Sequence, residues 1–168
     1  MQLYLIRHAI ASDEPDGPSP DGLPEDLDPM DAARPLTSRG ARRFSDATRG
    51  LGRLGVRFDR ILHSPLLRAV ETAEILEDLL RGESISTPLL ARSPELELLT
   101  RLEGEAVAVV GHQPWLGELL GLLSLGTPEA GRVFTWKKGG VAWLEGDPAP
   151  AGMQLRAFWT PRSLRTMR

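Results

Sequence analysis

Gln2-Leu3-Tyr4-Leu5-Ile6-Arg7-His8 begins as a short, nearly continuous apolar run and ends in an arginine and a histidine. A run of that length and composition suits a strand buried on both faces of a largely parallel sheet. Ala106–Val110 repeats the pattern, and Asp59–Leu62 is a weaker copy of it. Helical spacing lies between these runs. After Thr37, an N-cap residue type, Ala41, Phe44, Ala47 and Leu51 follow the helical period until Gly52 and Gly55. Ser64-Pro65 offers a cap followed by proline, and Leu66, Val70, Ala73, Leu76 and Leu80 then form one stripe. A third helix is expected from about Pro114, carrying Leu116, Leu119, Leu120 and Leu123. Two further strands, Val141–Leu144 and the alternating Met153, Leu155, Ala157 and Trp159, join through Gly146-Asp147-Pro148 as an antiparallel edge. Strands alternating with helices define an α/β fold.

The rest of the composition agrees with one globular domain spanning residues 1–168. Hydrophobic residues make up 41% of the chain, enough for a core, and 17 Gly with 14 Pro stay below low-complexity levels. The absence of cysteine excludes disulfides, thiolate metal sites and a cysteine nucleophile at once. The N-terminus lacks the basic and long apolar regions of a signal peptide, and no apolar run is long enough to cross a membrane. A soluble, cytoplasmic protein without membrane attachment is therefore expected. With 20 Lys and Arg against 23 Asp and Glu, the net charge of −3 gives little footprint for nucleic acid.

Two segments depart from the average. Residues 11–33 hold eight acids, five prolines and no Lys or Arg, the composition of a mobile, solvated loop. The C-terminal tail, residues 160–168, is basic, and no acid follows Asp147. Loop and tail could neutralise each other or meet a partner, and two independently solvated segments are the simpler expectation.

Polar clusters fall at the C-terminal ends of the expected parallel strands: Arg7-His8, then His63-Ser64 leading to Arg68, then Gly111-His112. Ligands of open α/β sheets bind along that edge. Arg68, in the first turn of its helix, could join the helix N-terminus around a phosphate, and Arg7 would add a second bidentate donor set. A histidine among such cations is kept neutral and able to attack phosphorus. Taken alone, His8 could equally be a structural histidine at a strand end; Arg68 and His112 at matching ends are what favour chemistry.

These residues also carry a resemblance. Leu5-Ile6-Arg7-His8-Ala9, Arg34-Pro35-Leu36-Thr37-Ser38-Arg39-Gly40, Ser64-Pro65-Leu66-Leu67-Arg68 continuing to Thr72-Ala73, and Val110-Gly111-His112-Gln113-Pro114 stand in order over most of the chain. Together they resemble the histidine phosphatase superfamily, in its short SixA-type branch of phosphohistidine phosphatases. The resemblance implies the phosphoglycerate mutase-like fold, a single-domain three-layer sandwich with helices on both faces of a mostly parallel sheet. It also implies that His8 is the nucleophile that becomes phosphorylated, with Arg7, Arg68 and His112 holding the phosphoryl oxygens. Arg34 falls at a phosphate- or substrate-binding position. No metal or other cofactor is implied, and His63 matches no catalytic position.

Larger members of the superfamily supply a general acid between the second arginine and the second histidine. The nearest candidate here is Glu95, with Glu97 close by. The interval from Arg68 to His112 is too short for the lid subdomain of larger relatives, so an open groove is expected. Such a groove suits a phosphorylated side chain on another protein, here a histidine phosphotransfer domain of a signalling relay. The alternatives are a small-molecule phosphomonoesterase acting on a phosphate ester, a non-catalytic phosphate-binding module, and a zinc hydrolase gathering His8, His63 and His112. The zinc reading lacks the paired His-Glu-x-x-His arrangement.

Overall fold

The computed structural model describes residues 1–21 and 23–167; Gly22 and Arg168, members of the expected acidic loop and basic tail, lie outside the described residues. Among the described residues six strands form one sheet: β1 (Gln2–Arg7), β2 (Phe58–His63), β3 (Leu80–Ser86), β4 (Ala106–Gly111), β5 (Val141–Gly146) and β6 (Met153–Trp159). Their order is β3-β2-β4-β1-β5-β6. The first four are mutually parallel, whereas β5 runs antiparallel to both β1 and β6. The apolar runs thus take the central places, where both faces are covered.

Alternation along β1 divides the core in two. Leu3 and Leu5 point to the face covered by α5 (Trp115–Leu125), against Leu116, Leu119, Leu120 and Leu123. Tyr4 and Ile6 point to the opposite face, against α2 (Ser38–Arg53) and α3 (Leu67–Leu76). Full burial of each leucine or phenylalanine in these layers contributes about 1.5–3 kcal/mol. Helices on both faces of a mostly parallel sheet make the expected three-layer sandwich, and no described helix is long and apolar enough to cross a membrane.

Several local expectations are corrected. The α2 helix passes through Gly52 and ends at Arg53, with Gly55 beyond it at φ +79°. Thr37 does cap it, accepting from the Gly40 N–H at 2.9 Å. Ser64 is not the cap of α3; Leu66 holds that position and no side chain caps it. Leu80 is not on the α3 stripe, because a 3-10 turn at Glu77–Leu79 ends the helical path and Leu80 opens β3. That strand escapes a hydrophobic reading because it is an edge, with Arg81, Gly82, Glu83 and Ser84 all exposed.

The acidic loop is not solvated filler throughout. Pro29–Ala32 forms a short helix, α1, whose first turn is capped by Asp28 accepting from the Met30 N–H at 2.9 Å. Ala32 and Ala33 are buried, and Ala11 forms an isolated bridge with Leu36. In the tail, Pro161–Thr166 forms α6, which buries Leu164 against α2. No ion pair joins loop to tail among the described residues.

Candidate active site

Register places the polar strand ends together. In the ladder Arg7 lies opposite Gly111, and His63 lies opposite Val110 on the other side of β4. Backbone bonds lock the three ends: the His8 N–H donates to the Gly111 carbonyl and the Ser64 N–H to the Val110 carbonyl, each at 3.0 Å. The Gly139 N–H donates to the carbonyls of both Arg7 and His8 at 3.0 Å, so the segment before β5 closes over the end of β1. Below, the Thr37 N–H donates to the Ile10 carbonyl at 2.9 Å. Gly40 makes this approach possible, since a Cβ there would stand 2.2 Å from the Ile10 oxygen.

His8 is 6% exposed, and its Nδ1 lies 2.7 Å from the Ala9 carbonyl oxygen. A carbonyl can only accept, so Nδ1 carries the proton and Nε2 of the neutral ring holds a lone pair. Burial lowers the His8 pKa to about 3; the Ala9 carbonyl works the other way, and Arg68, Arg7 and Lys138 depress it further. The His112 ring centroid lies 5.1 Å away, and Trp115 meets His112 edge-on at 5.8 Å. Burial, then His8, Arg68 and Arg7, hold His112 well below its ordinary pKa. Both nitrogens of the buried His112 ring lack a partner.

Two guanidinium groups complete the cluster. Arg7 donates from Nη1 to the Trp136 carbonyl, while its buried Nε–H has no partner. Arg68 stands in the first turn of α3, as the sequence implied, and donates to the Asp31 carbonyl oxygen at 2.6 Å and to Asp31 Oδ2 at 2.8 Å. A guanidinium has five N–H donors, so this clasp leaves three of them for a ligand. Burial opposes ionisation of Asp31, yet hydrogen bonds and charge from Arg68 and Arg34 hold its carboxyl below the usual range.

In the sequence Asp31 is one more acid of the loop. Its signal was the Asp28-Pro29 start of a short helix that aims it at Arg68. Lys138 carries no such local signal, since only chain folding brings its charge near His8.

The other candidates stand apart from this group. Arg34 spends its guanidinium on the Ser12 carbonyl at 2.7 Å, Asp31 at 2.7 Å and Asp13 at 3.3 Å, and reaches the cluster only through Asp31. Glu95 is exposed and turns to Arg92 at 3.8 Å; Glu97 turns to Arg101 at 3.5 Å. Neither carboxylate has a hydrogen bond or ion pair with His8, Arg7, Arg68 or His112. His63 is buried and its Nδ1 lies 3.0 Å from the Ser64 carbonyl oxygen. No three His, Asp or Glu side chains gather at metal-binding spacing among the described residues, so the three histidines do not form the weighed zinc arrangement. The neutral His8 imidazole thus shares its surroundings with a second imidazole and two guanidinium groups, a combination whose charge and donors suit a tetrahedral oxyanion.

Comparison with known proteins agrees with this geometry. An uncharacterized protein of Picosynechococcus sp. is 35% identical over 157 residues, covering 89% of this chain and 87% of that protein. The solved structure of the protein histidine phosphatase SixA complexed with tungstate superposes with a TM-score of 0.75 at 25% identity, covering 98% of this chain and 99% of the other. The alpha-ribazole phosphatase from Shigella flexneri shares the fold at a TM-score of 0.68 and 19% identity, with 96% and 97% of the two chains covered. The sequence profile of the histidine phosphatase superfamily (branch 1) matches residues 3–92, more than half of the chain. With that match, and with His8 after β1 and Arg68 in the first turn of α3 inside the matched stretch, the chain belongs to the histidine phosphatase superfamily.

Proposed function

We propose that this protein is a metal-independent phosphohistidine phosphatase acting on another protein, a histidine phosphotransfer domain, through a covalent phosphohistidine at His8. The observation that carries the reading is the convergence of unpartnered buried donors on one nucleophile. Arg7 Nε–H and the N–H of the His112 ring have no acceptor among the described residues, and Arg68 keeps donors to spare. Buried polar groups are costly unless paired, and phosphoryl oxygens would pair all three.

The chemistry follows from the atoms. The His8 Nε2 lone pair attacks phosphorus while the phosphorus–nitrogen bond of the substrate breaks, and the departing imidazole nitrogen takes up a proton from water. Charge on the equatorial oxygens is met by Arg7, Arg68 and His112. Water then attacks the phosphorylated His8, releasing inorganic phosphate and returning Nε2 to its starting state. The Ala9 carbonyl holds Nδ1–H throughout and fixes the ring's orientation. Asp31 fixes Arg68, and Arg34 contributes by fixing Asp31.

An imidazole leaving group is basic, so a dedicated strong acid is less necessary than for an ester. Glu95, tied to Arg92 at the surface, is consistent with that. Substrate class is supported by the interval from Arg68 to His112. It holds α3, the edge strand β3, a 3-10 turn at Pro88–Leu90, the short helix α4 (Leu96–Leu99) and β4, with no inserted lid subdomain among them.

The test is phosphate release in EDTA by the wild-type protein and by His8→Ala, with a phosphohistidine-bearing phosphotransfer domain and a panel of phosphate esters as parallel substrates. Preferential turnover of the phosphoprotein, lost in His8→Ala, is the expected result. Preference for esters would keep the site and replace the substrate. No turnover of either would leave a phosphate-binding module.

A further inference from the structure

Beside the strand-end site lies a second feature that phosphoryl transfer does not use. A cleft of about 500 Å³ opens between the residues following His8, α2, the segment before β5, and α6. Arg43, Lys137, Lys138, Arg162 and Arg165 line it, and no carboxylate does. None of the five forms an ion pair among the described residues, although acids outnumber bases in the chain. Ile10 and Phe44 give the cleft an apolar floor.

Five like charges without counterions repel one another and create a strong local potential, which a bound anion would relieve. Their arrangement narrows the choice of anion. The cations come from three segments far apart in sequence, so they form a broad rim where a single phosphate would need only two or three donors. A chain bearing several carboxylates, with an apolar side chain over Ile10 and Phe44, matches both rim and floor.

Location ties the cleft to the reaction. Its wall includes Ala9 and Ile10, the two residues after His8, and Gly139, whose N–H is bonded to the His8 carbonyl. A protein whose phosphohistidine enters the His8 pocket would lay its neighbouring surface here. We propose that this cleft is the docking site for an acidic segment of the phosphorylated protein substrate, a proposal that rests on the phosphoprotein reading above. The α6 arginines, unexplained by the strand-end chemistry, then serve substrate selection.

Two variants test it: Arg162→Glu/Arg165→Glu on α6, and Lys137→Glu on a separate segment, which keeps the test alive should the α6 variant misfold. Each is assayed on the phosphoprotein and on para-nitrophenyl phosphate, and for binding of a fluorescein-labelled poly-glutamate peptide. The expected result is a fall of about tenfold in kcat/KM for the phosphoprotein, carried by KM and diminished at high salt, with ester turnover unchanged. Peptide binding should weaken in parallel. Equal losses on both substrates, or no loss on either, would overturn the proposal, as would tighter capture of an oligothymidylate than of poly-glutamate. If the wild type ignores the phosphoprotein, the substrate reading fails by itself. The peptide arm then decides the cleft alone: charge-sensitive binding upholds an acidic-segment site, and its absence rejects it.

Discussion

His8 and His63 both stand at the C-terminal ends of parallel strands on either side of β4, His63 level with Ile6 and His8 two residues further along. Both are buried, at 6% and 8% exposure, and both hold Nδ1 near the carbonyl of the next residue, at 2.7 and 3.0 Å. Burial and tautomer are therefore shared, and neither distinguishes a nucleophile from a structural histidine. What differs is the company. His8 faces the His112 ring, and Arg7, Arg68 and Lys138 all act on its charge. The His63 carbonyl is taken by the Thr87 N–H at 2.8 Å, a tie to the chain beyond the edge strand. A strand end supplies a fixed imidazole; the neighbouring Arg7 and the cations that folding brings up are what set His8 apart.

The sharpest way to break this comparison is to make the same change at both positions. His8→Asn should lower phosphatase kcat by about 10⁴-fold or more, the scale of losing a nucleophile. His63→Asn should leave kcat within about threefold and cost about 1–2 kcal/mol of stability through its lost hydrogen bond. Steady-state kinetics and denaturant melts on the pair measure both, and a similar loss of kcat at His63 would end the distinction.

A smaller effect is expected one step away from the cluster. Asp31→Asn removes the charge that fixes Arg68 and should reduce kcat/KM by about tenfold, within the range for losing a charge-assisted hydrogen bond. A rise in kcat/KM would mean instead that Asp31 competes with the phosphoryl group for Arg68.

A further contrast is read from pH. With its pKa near 3, His8 stays neutral well below the ordinary histidine value of 6.5, so kcat/KM should show no acid limb at 6.5 arising from His8. Stability behaves differently. Between about pH 6.5 and 3 the unfolded chain binds a proton at this position that the folded chain does not, so this contribution is present above 6.5 and is lost as pH falls. Wild type should lose stability more steeply than His8→Asn over that window, by up to about 1.4 kcal/mol per pH unit. Parallel slopes in the two proteins would show that His8 is not held neutral by its surroundings.

Much of this was legible in the chain because it is local. Leu3 to Ile6 and Val107 to Val110 announce strands buried on both faces, and Thr37 caps α2 with its own hydroxyl. His8, Arg68 and His112 could be placed at one sheet edge because parallel strands put their C-terminal ends on the same side. The edge strand β3 was not legible, since exposed Arg81, Glu83 and Ser84 leave no apolar alternation to read. Asp31 was hidden by its neighbours, in a segment whose average composition is that of solvated chain.

By itself, the sequence determined that the protein is an α/β domain with an arginine and histidine cluster at the strand ends, because periodicity and strand direction are properties of nearby residues. Only the tertiary structure decided that Asp31 clasps Arg68, that Arg34 serves Asp31, and that Lys138 and the α6 arginines line a cleft beside His8. Apart from Arg34 and Asp31, which are three residues apart, those groupings join residues far apart in the chain. Charge acts through space, and its sum at any point is set only once the backbone has closed.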